Sequence, residues 1–145
     1  MDINWEIIET PENTLGKVKI MTEPRNDIIE HFYSGIDILR FPAFLKNRVN
    51  SVGFHNEVTG IISHSSLDGG DIAEGRGFET ENIKLYHNAF HEEFLINEII
   101  FDKMTIDYST KLLEAYFSSN EVNDAWKNEM SSMIEELKLK IKNQS

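Results

Sequence analysis

The spacing of apolar residues changes near Phe101, and that change limits the folds open to this chain more than any other feature. From Val49 to Phe101 apolar residues come in short runs broken by Gly and Asn, as in strands and turns. Beyond Phe101 they recur every three to four residues, as on helices. A pure helical bundle and a pure β-sandwich both conflict with that division. The expectation is an α+β fold: a mainly antiparallel sheet of about five to six strands, with an N-terminal helix and two C-terminal helices packed on it. A length of 145 residues suits a single domain spanning residues 1–145.

The pattern resolves into elements. Ile3–Glu9 and Leu15–Met21 read as two strands joined through Pro11-Glu12-Asn13-Thr14. Thr22 can cap a helix with Pro24 in its first turn, Ile28, Ile29, Phe32 and Tyr33 on one side and Gly35 at its end. Phe41–Leu45 reads either as a short helix or as a packing loop. Arg48–His55, Glu57–Ser65, Phe78–His87 and Phe90–Phe101 are four candidate strands, with tight connections at Asn56 and at Asn88-Ala89, hence an antiparallel meander. The glycine-rich stretch from Leu67 to Phe78 reads as a loop. Asp107 or Ser109 can cap a helix carrying Tyr108, Leu112, Leu113, Tyr116 and Phe117 on one face. After a break at Ser118-Ser119-Asn120, a last helix carries Val122, Trp126, Met133, Ile134, Leu137 and Ile141, with Lys138, Lys140 and Lys142 toward its negative end.

Charge says more about partners than about folding. The net charge is −11, and residues 61–110 hold ten of the 25 acids against only three bases, Arg76, Lys84 and Lys103. A chain so acidic repels phosphate backbones, which argues against direct nucleic-acid binding and favours a basic partner. The absence of cysteine excludes disulfide and thiolate chemistry and makes a cytoplasmic address the expectation. No apolar run approaches the length of about 20 residues that spans a bilayer, so no membrane association is expected. The opening Met1–Glu6 is acidic where a secretory signal would be basic and then apolar.

Candidate chemistry is sparse. His87 and His91, beside Glu92 and Glu93, have a zinc-like spacing only if they share a helix, and the span reads as strand, turn and strand. His55 and His64 flank the first hairpin and would face each other across it near Glu57, an arrangement open to acid–base work in a small hydrolase. No nucleophile motif stands beside them. Asp68-Gly69-Gly70-Asp71 lacks the alternating oxygen ligands and distal glutamate of a calcium loop. It reads either as a plain connection or, with Glu74, as a mobile acidic lip. Glu79 and Glu81, two apart on a strand, would share a face, and Glu92 and Glu93 lie beside the next turn. Asp68, Asp71, Glu74, Glu79, Glu81, Glu92 and Glu93 are therefore the candidate partner-binding residues.

A small, acidic, cysteine-free α+β chain without a catalytic motif resembles the immunity proteins of contact-dependent growth inhibition and other bacterial polymorphic toxin systems. The resemblance rests on the closing block, Phe94-Leu95-Ile96-Asn97-Glu98-Ile99-Ile100-Phe101, followed by Asp107–Phe117 and the final helix. It implies a stoichiometric inhibitor that binds a cognate basic toxin domain, often a nuclease, in a 1:1 complex without cofactor or turnover, residues 61–107 supplying much of the contact. A histidine-dependent hydrolase and an acidic adaptor or chaperone-like protein are the alternatives.

Overall fold

A computed structural model describes residues 3–10, 18–75, 77–90 and 92–144. The fold is α+β, with six strands in two antiparallel sheets and five α-helices among the described residues. Strands β1 (Asn4–Glu9) and β2 (Val18–Glu23) form the smaller sheet, Ile7 opposite Ile20. The larger sheet is a meander of β3 (Phe54–His55), β4 (Thr59–Ile62), β5 (Asn82–His87) and β6 (Glu93–Asn97) in that order. The helices are α1 (Asp27–Phe32), α2 (Phe41–Val49), α3 (Gly69–Ala73), α4 (Glu98–Tyr116) and α5 (Asp124–Gln144).

Each boundary has a local cause. Asn56 makes the β3–β4 turn, its side-chain carbonyl accepting from the Val58 and Thr59 amides while its amide nitrogen donates to the Gly35 carbonyl. Gly60 sits opposite Tyr86 on β5, and a Cβ there would lie 2.2 Å from the tyrosine ring. Only glycine lets that ring cover the strand. β5 ends in a turn at Asn88-Ala89 as the sequence implies, with the Asn88 amide donating to the Val58 carbonyl at 2.8 Å.

A continuous apolar core joins the sheets and helices. Phe32, Tyr33, Phe41, Phe44, Phe101 and Tyr108 pack ring against ring at its centre, Tyr33 stacking on Tyr108 with centroids 4.4 Å apart. Such pairs add directional preference to the burial of large apolar area. Helix α1 touches both β2 and β5 and so bridges the two sheets, while α4 lies along β1 and β2. Trp5 Nε1 donates to Asp107 at 2.8 Å, tying β1 to the middle of α4.

Several sequence expectations change at this level. One sheet becomes two, and α5 lies against α2 and α4, where a sheet contact was expected. Thr22 belongs to β2. The cap of α1 is Asn26, whose side chain accepts from the Ile29 amide, and Thr22 Oγ1 accepts from the Asn26 amide one step earlier. The helical alternative for Phe41–Leu45 is the right one and extends to Val49, so Arg48 is helical and the strand expected at Arg48–His55 shrinks to two residues. The strand expected at Glu57–Ser65 is limited to β4. That expected at Phe90–Phe101 stops at Asn97, whose side chain accepts from the Ile100 amide and starts α4 ten residues before Asp107. A side-chain oxygen that satisfies a first-turn amide is enough to override an apolar run that reads equally well as strand. Leu15–Lys17 and Pro11–Thr14 lie outside the described residues.

Candidate protein-binding surface

The predicted acids fall into separate groups. β4 runs antiparallel to β5 with Ile62 opposite Lys84, so the chain leaving β4 and the chain entering β5 emerge at one end of the meander. That end carries Asp68, Asp71, Glu74, Glu79 and Glu81. The stretch expected to be a loop contains α3, started by a reciprocal cap: the Asp71 amide donates to Asp68 Oδ1 at 2.8 Å, and the Asp68 amide donates to Asp71 Oδ2 at 3.1 Å. This pair satisfies two amides that a loop would leave to water. Glu74 closes the helix, and its amide donates to the Gly70 carbonyl.

Glu79 and Glu81 precede β5 instead of lying on it, so strand alternation does not place them on one face. They belong to a turn in which the Asn82 amide donates to the Glu79 carbonyl and the Glu98 amide donates to the Glu81 carbonyl. Both side chains are exposed. The turn therefore presents them at the same end as α3 by a different route from the one expected.

Glu92 and Glu93 stand apart. Glu93 is opposite Tyr86, so its backbone is five residues further along the sheet than Glu81, about 17 Å at the rise of an antiparallel strand. Its carboxylate leans back to Lys84 Nζ, 3.9 Å away, and Lys84 Nζ also lies 5.6 Å from the Phe78 ring centroid. Glu92 lines a cleft of about 540 Å³ between the start of α1 and the β5–β6 turn, with Arg25, Asp27, Phe90 and Phe94.

The histidines are arranged differently from the expectation. β4 ends at Ile62, and a 3₁₀ turn, His64–Ser66, carries His64 off the sheet onto Phe78, with ring centroids 6.1 Å apart. His55 sits on β3 opposite Gly60, so the two do not face each other. His87 instead meets His31 of α1, centroids 6.3 Å apart, with Phe90 against both rings. Burial, reinforced by His31, holds the His87 pKa below the usual histidine value. His91 lies outside the described residues. Among the described residues no three His, Cys, Asp or Glu side chains are grouped to hold a metal ion, and no helix is long and apolar enough to cross a membrane.

The charged cluster that sequence reasoning missed lies between α2, α4 and α5. Arg48, fully buried, donates from Nε to Asp102 Oδ1 at 2.8 Å and from Nη2 to Glu98 Oε2 at 2.6 Å. Lys140 donates to Asp102 Oδ2 at 2.7 Å, Glu98 Oε2 at 3.2 Å and the Arg48 carbonyl. Burial opposes charge on Glu98, but Arg48 and Lys140 outweigh it and hold its carboxyl below the usual range. For Arg48 burial is likewise outweighed by Asp102 and Glu98, and its pKa is raised. The sequence signal was the four-residue spacing of Glu98 and Asp102, which reads as a ligand face once both are helical.

A cleft of about 650 Å³ lies between β2, α1 and the outer half of α4, over Tyr33, Tyr108 and Tyr116. Burial raises the pKa values of Tyr33 and Tyr108, so both phenols stay neutral. No protein family, curated protein or solved structure matches this chain. Function therefore has to be read from the chemistry of these surfaces.

Proposed function

We propose that this chain is a cytoplasmic immunity protein that binds a basic toxin domain, a nuclease by class, in a 1:1 complex and neutralises it without catalysis. The observation that carries the reading is the acidic end of the meander, where residues 68–81 hold five acids and one base. A nuclease concentrates Lys and Arg where phosphates bind, so an acidic surface is steered into that same field and covers it. The chain supports such a role mechanically: α3 and the turn before β5 present the carboxylates from a sheet anchored to a large core. The chain closes on β6, α4 and α5, an order of one strand and two helices that supports the reading, although Glu98–Phe101 of the block that carries the resemblance belongs to α4.

The test is to co-purify the protein with the toxin domain encoded beside it. The expected result is a stoichiometric complex that protects nucleic acid from degradation and weakens at least about tenfold as ionic strength rises through the range that screens surface charge. A toxin domain that stays active and unbound in the presence of excess protein overturns the reading.

A further inference from the structure

We propose that β6, the outer strand of the meander, takes on an extended basic segment of the partner as a further antiparallel strand. The inference rests on the reading of the chain as a protein-binding module and adds a mode of binding, backbone pairing along one sheet edge. β6 stands last in the order of its sheet, and no other strand pairs with its outer side among the described residues.

Hydrogen-bond alternation fixes which backbone groups that edge offers. The Glu98 amide donates to the Glu81 carbonyl, one step beyond the pairing of Asn97 with Asn82. Bonded pairs alternate with unbonded ones along an antiparallel ladder, so Ile96 with Ile83 and Phe94 with Leu85 are bonded pairs. The amides and carbonyls of Glu93 and Leu95 therefore point away from β5. The far side of β5 keeps the same phase: the Asn88 amide bonds the Val58 carbonyl, which makes Tyr86 with Gly60 and Lys84 with Ile62 the bonded pairs there. Solvent reaches the edge, since Glu93 is exposed and Leu95 is 45% exposed. Lysine, proline and a bulge, the usual guards of a strand edge, are all missing from β6.

Charge selects the occupant. An added strand as long as β6, five residues, runs between two groups of acids. Glu92 and Glu93 stand at one end, and Glu81 stands at the other, beside Glu98. Glu81 and Glu92 are exposed and form no ion pair among the described residues, and Glu93 has only Lys84 Nζ, 3.9 Å away. A second copy of this chain carries the same net charge of −11 and is repelled. A segment with an apolar residue opposite Leu95 and Lys or Arg two positions to either side meets both the exposed leucine and the flanking carboxylates.

The test titrates the full chain, isotope-labelled at its amides, with the capped peptide acetyl-Lys-Thr-Val-Thr-Lys-amide. Saturable shifts are expected at Glu93, Leu95 and Asn97, with exchange of the Leu95 amide slowed at least about tenfold at saturation. N-methylation of the central valine removes the donor that faces the Leu95 carbonyl and should weaken binding about tenfold, and glutamate in place of both lysines should do the same. Leu95→Pro deletes an amide that β5 does not use, so the β5–β6 pairing should persist while the peptide is lost. Leu95→Lys, a change to an exposed side chain, should weaken the peptide several-fold with the rest of the spectrum in place. Equal binding of the N-methyl or glutamate peptide, shifts centred on α3, indifference to Leu95→Lys, or no saturable shift would each overturn the proposal. Protection of the Leu95 amide that rises with chain concentration in the absence of peptide makes the occupant a second copy and overturns it too. A salt-sensitive toxin complex unaffected by Leu95→Lys sinks strand addition and keeps the immunity reading. Peptide addition at Leu95 without any toxin complex does the reverse.

Discussion

Charged side chains do opposite work in two regions of this molecule. Between α2, α4 and α5, Arg48, Glu98, Asp102 and Lys140 are drawn out of water and matched two against two. Around α3 the acids stand in solvent and outnumber their bases. Desolvated charge demands a partner inside the fold and so specifies how three helices dock. Solvated charge makes no such demand on how the helices dock. Net charge does not separate the two cases; burial does.

The sharpest way to break this comparison is to remove one charge from each region. Arg48→Ala leaves Asp102 buried without its guanidinium partner and is expected to cost about 3–5 kcal/mol, against about 0.5 kcal/mol or less for Glu79→Gln with Glu81→Gln. Urea unfolding of both variants measures the difference, and equal losses would show that the buried cluster has no special weight. Substitution of the helix caps is next in size. Asn97→Ala removes the acceptor for the Ile100 amide at the start of a 19-residue helix and should cost about 1 kcal/mol by the same measurement. Asp68→Ala, on a short exposed helix, should cost about half as much. A ranking in which Asp68 matters more would mean that α3 is structurally integral.

Acid should separate the regions as well. The Glu98 carboxyl is held below its usual value in the folded chain, so its contribution is complete above about pH 4.3 and is lost as pH falls through the folded value. His87 is also lowered, so the stability due to its neutral ring is present above about pH 6.5 and declines below it. Thermal unfolding followed from pH 7 down to about pH 2 should therefore show two declines. His87→Phe should flatten the upper one and Glu98→Gln the lower one. The smallest effect expected is that of Glu79→Gln on the melting temperature at pH 7, a change within error, since its side chain is exposed.

Much of the fold was legible because it depends on neighbours in sequence. The meander order followed from Asn56 and from Asn88-Ala89, since a turn side chain bonds amides two or three residues away. The break at Ser118-Ser119-Asn120 and Trp126, Ile134 and Leu137 on the buried face of α5 were legible from periodicity, whereas Met130 was missed, Val122 precedes the helix, and Phe117, expected on the apolar face before the break, is exposed. Arg48 and Phe90–Phe101 misled because an apolar run beside a polar residue fits a strand and a buried helix equally well. The seven candidate carboxylates were identifiable as charge but not as a set, since grouping them requires knowing which ends of β4, β5 and β6 coincide.

Composition and local spacing by themselves determined the acidity, the α+β class, the antiparallel meander and the two closing helices, because each depends on contacts within a few residues. Only the tertiary structure decided which charges are buried against one another and which stand at the surface. Arg48 finds Asp102 across 54 positions and Lys140 finds Arg48 across 92, His87 meets His31, and His55 and His64 do not face each other. Those pairings follow from which apolar faces pack together, a condition that no short stretch of sequence expresses.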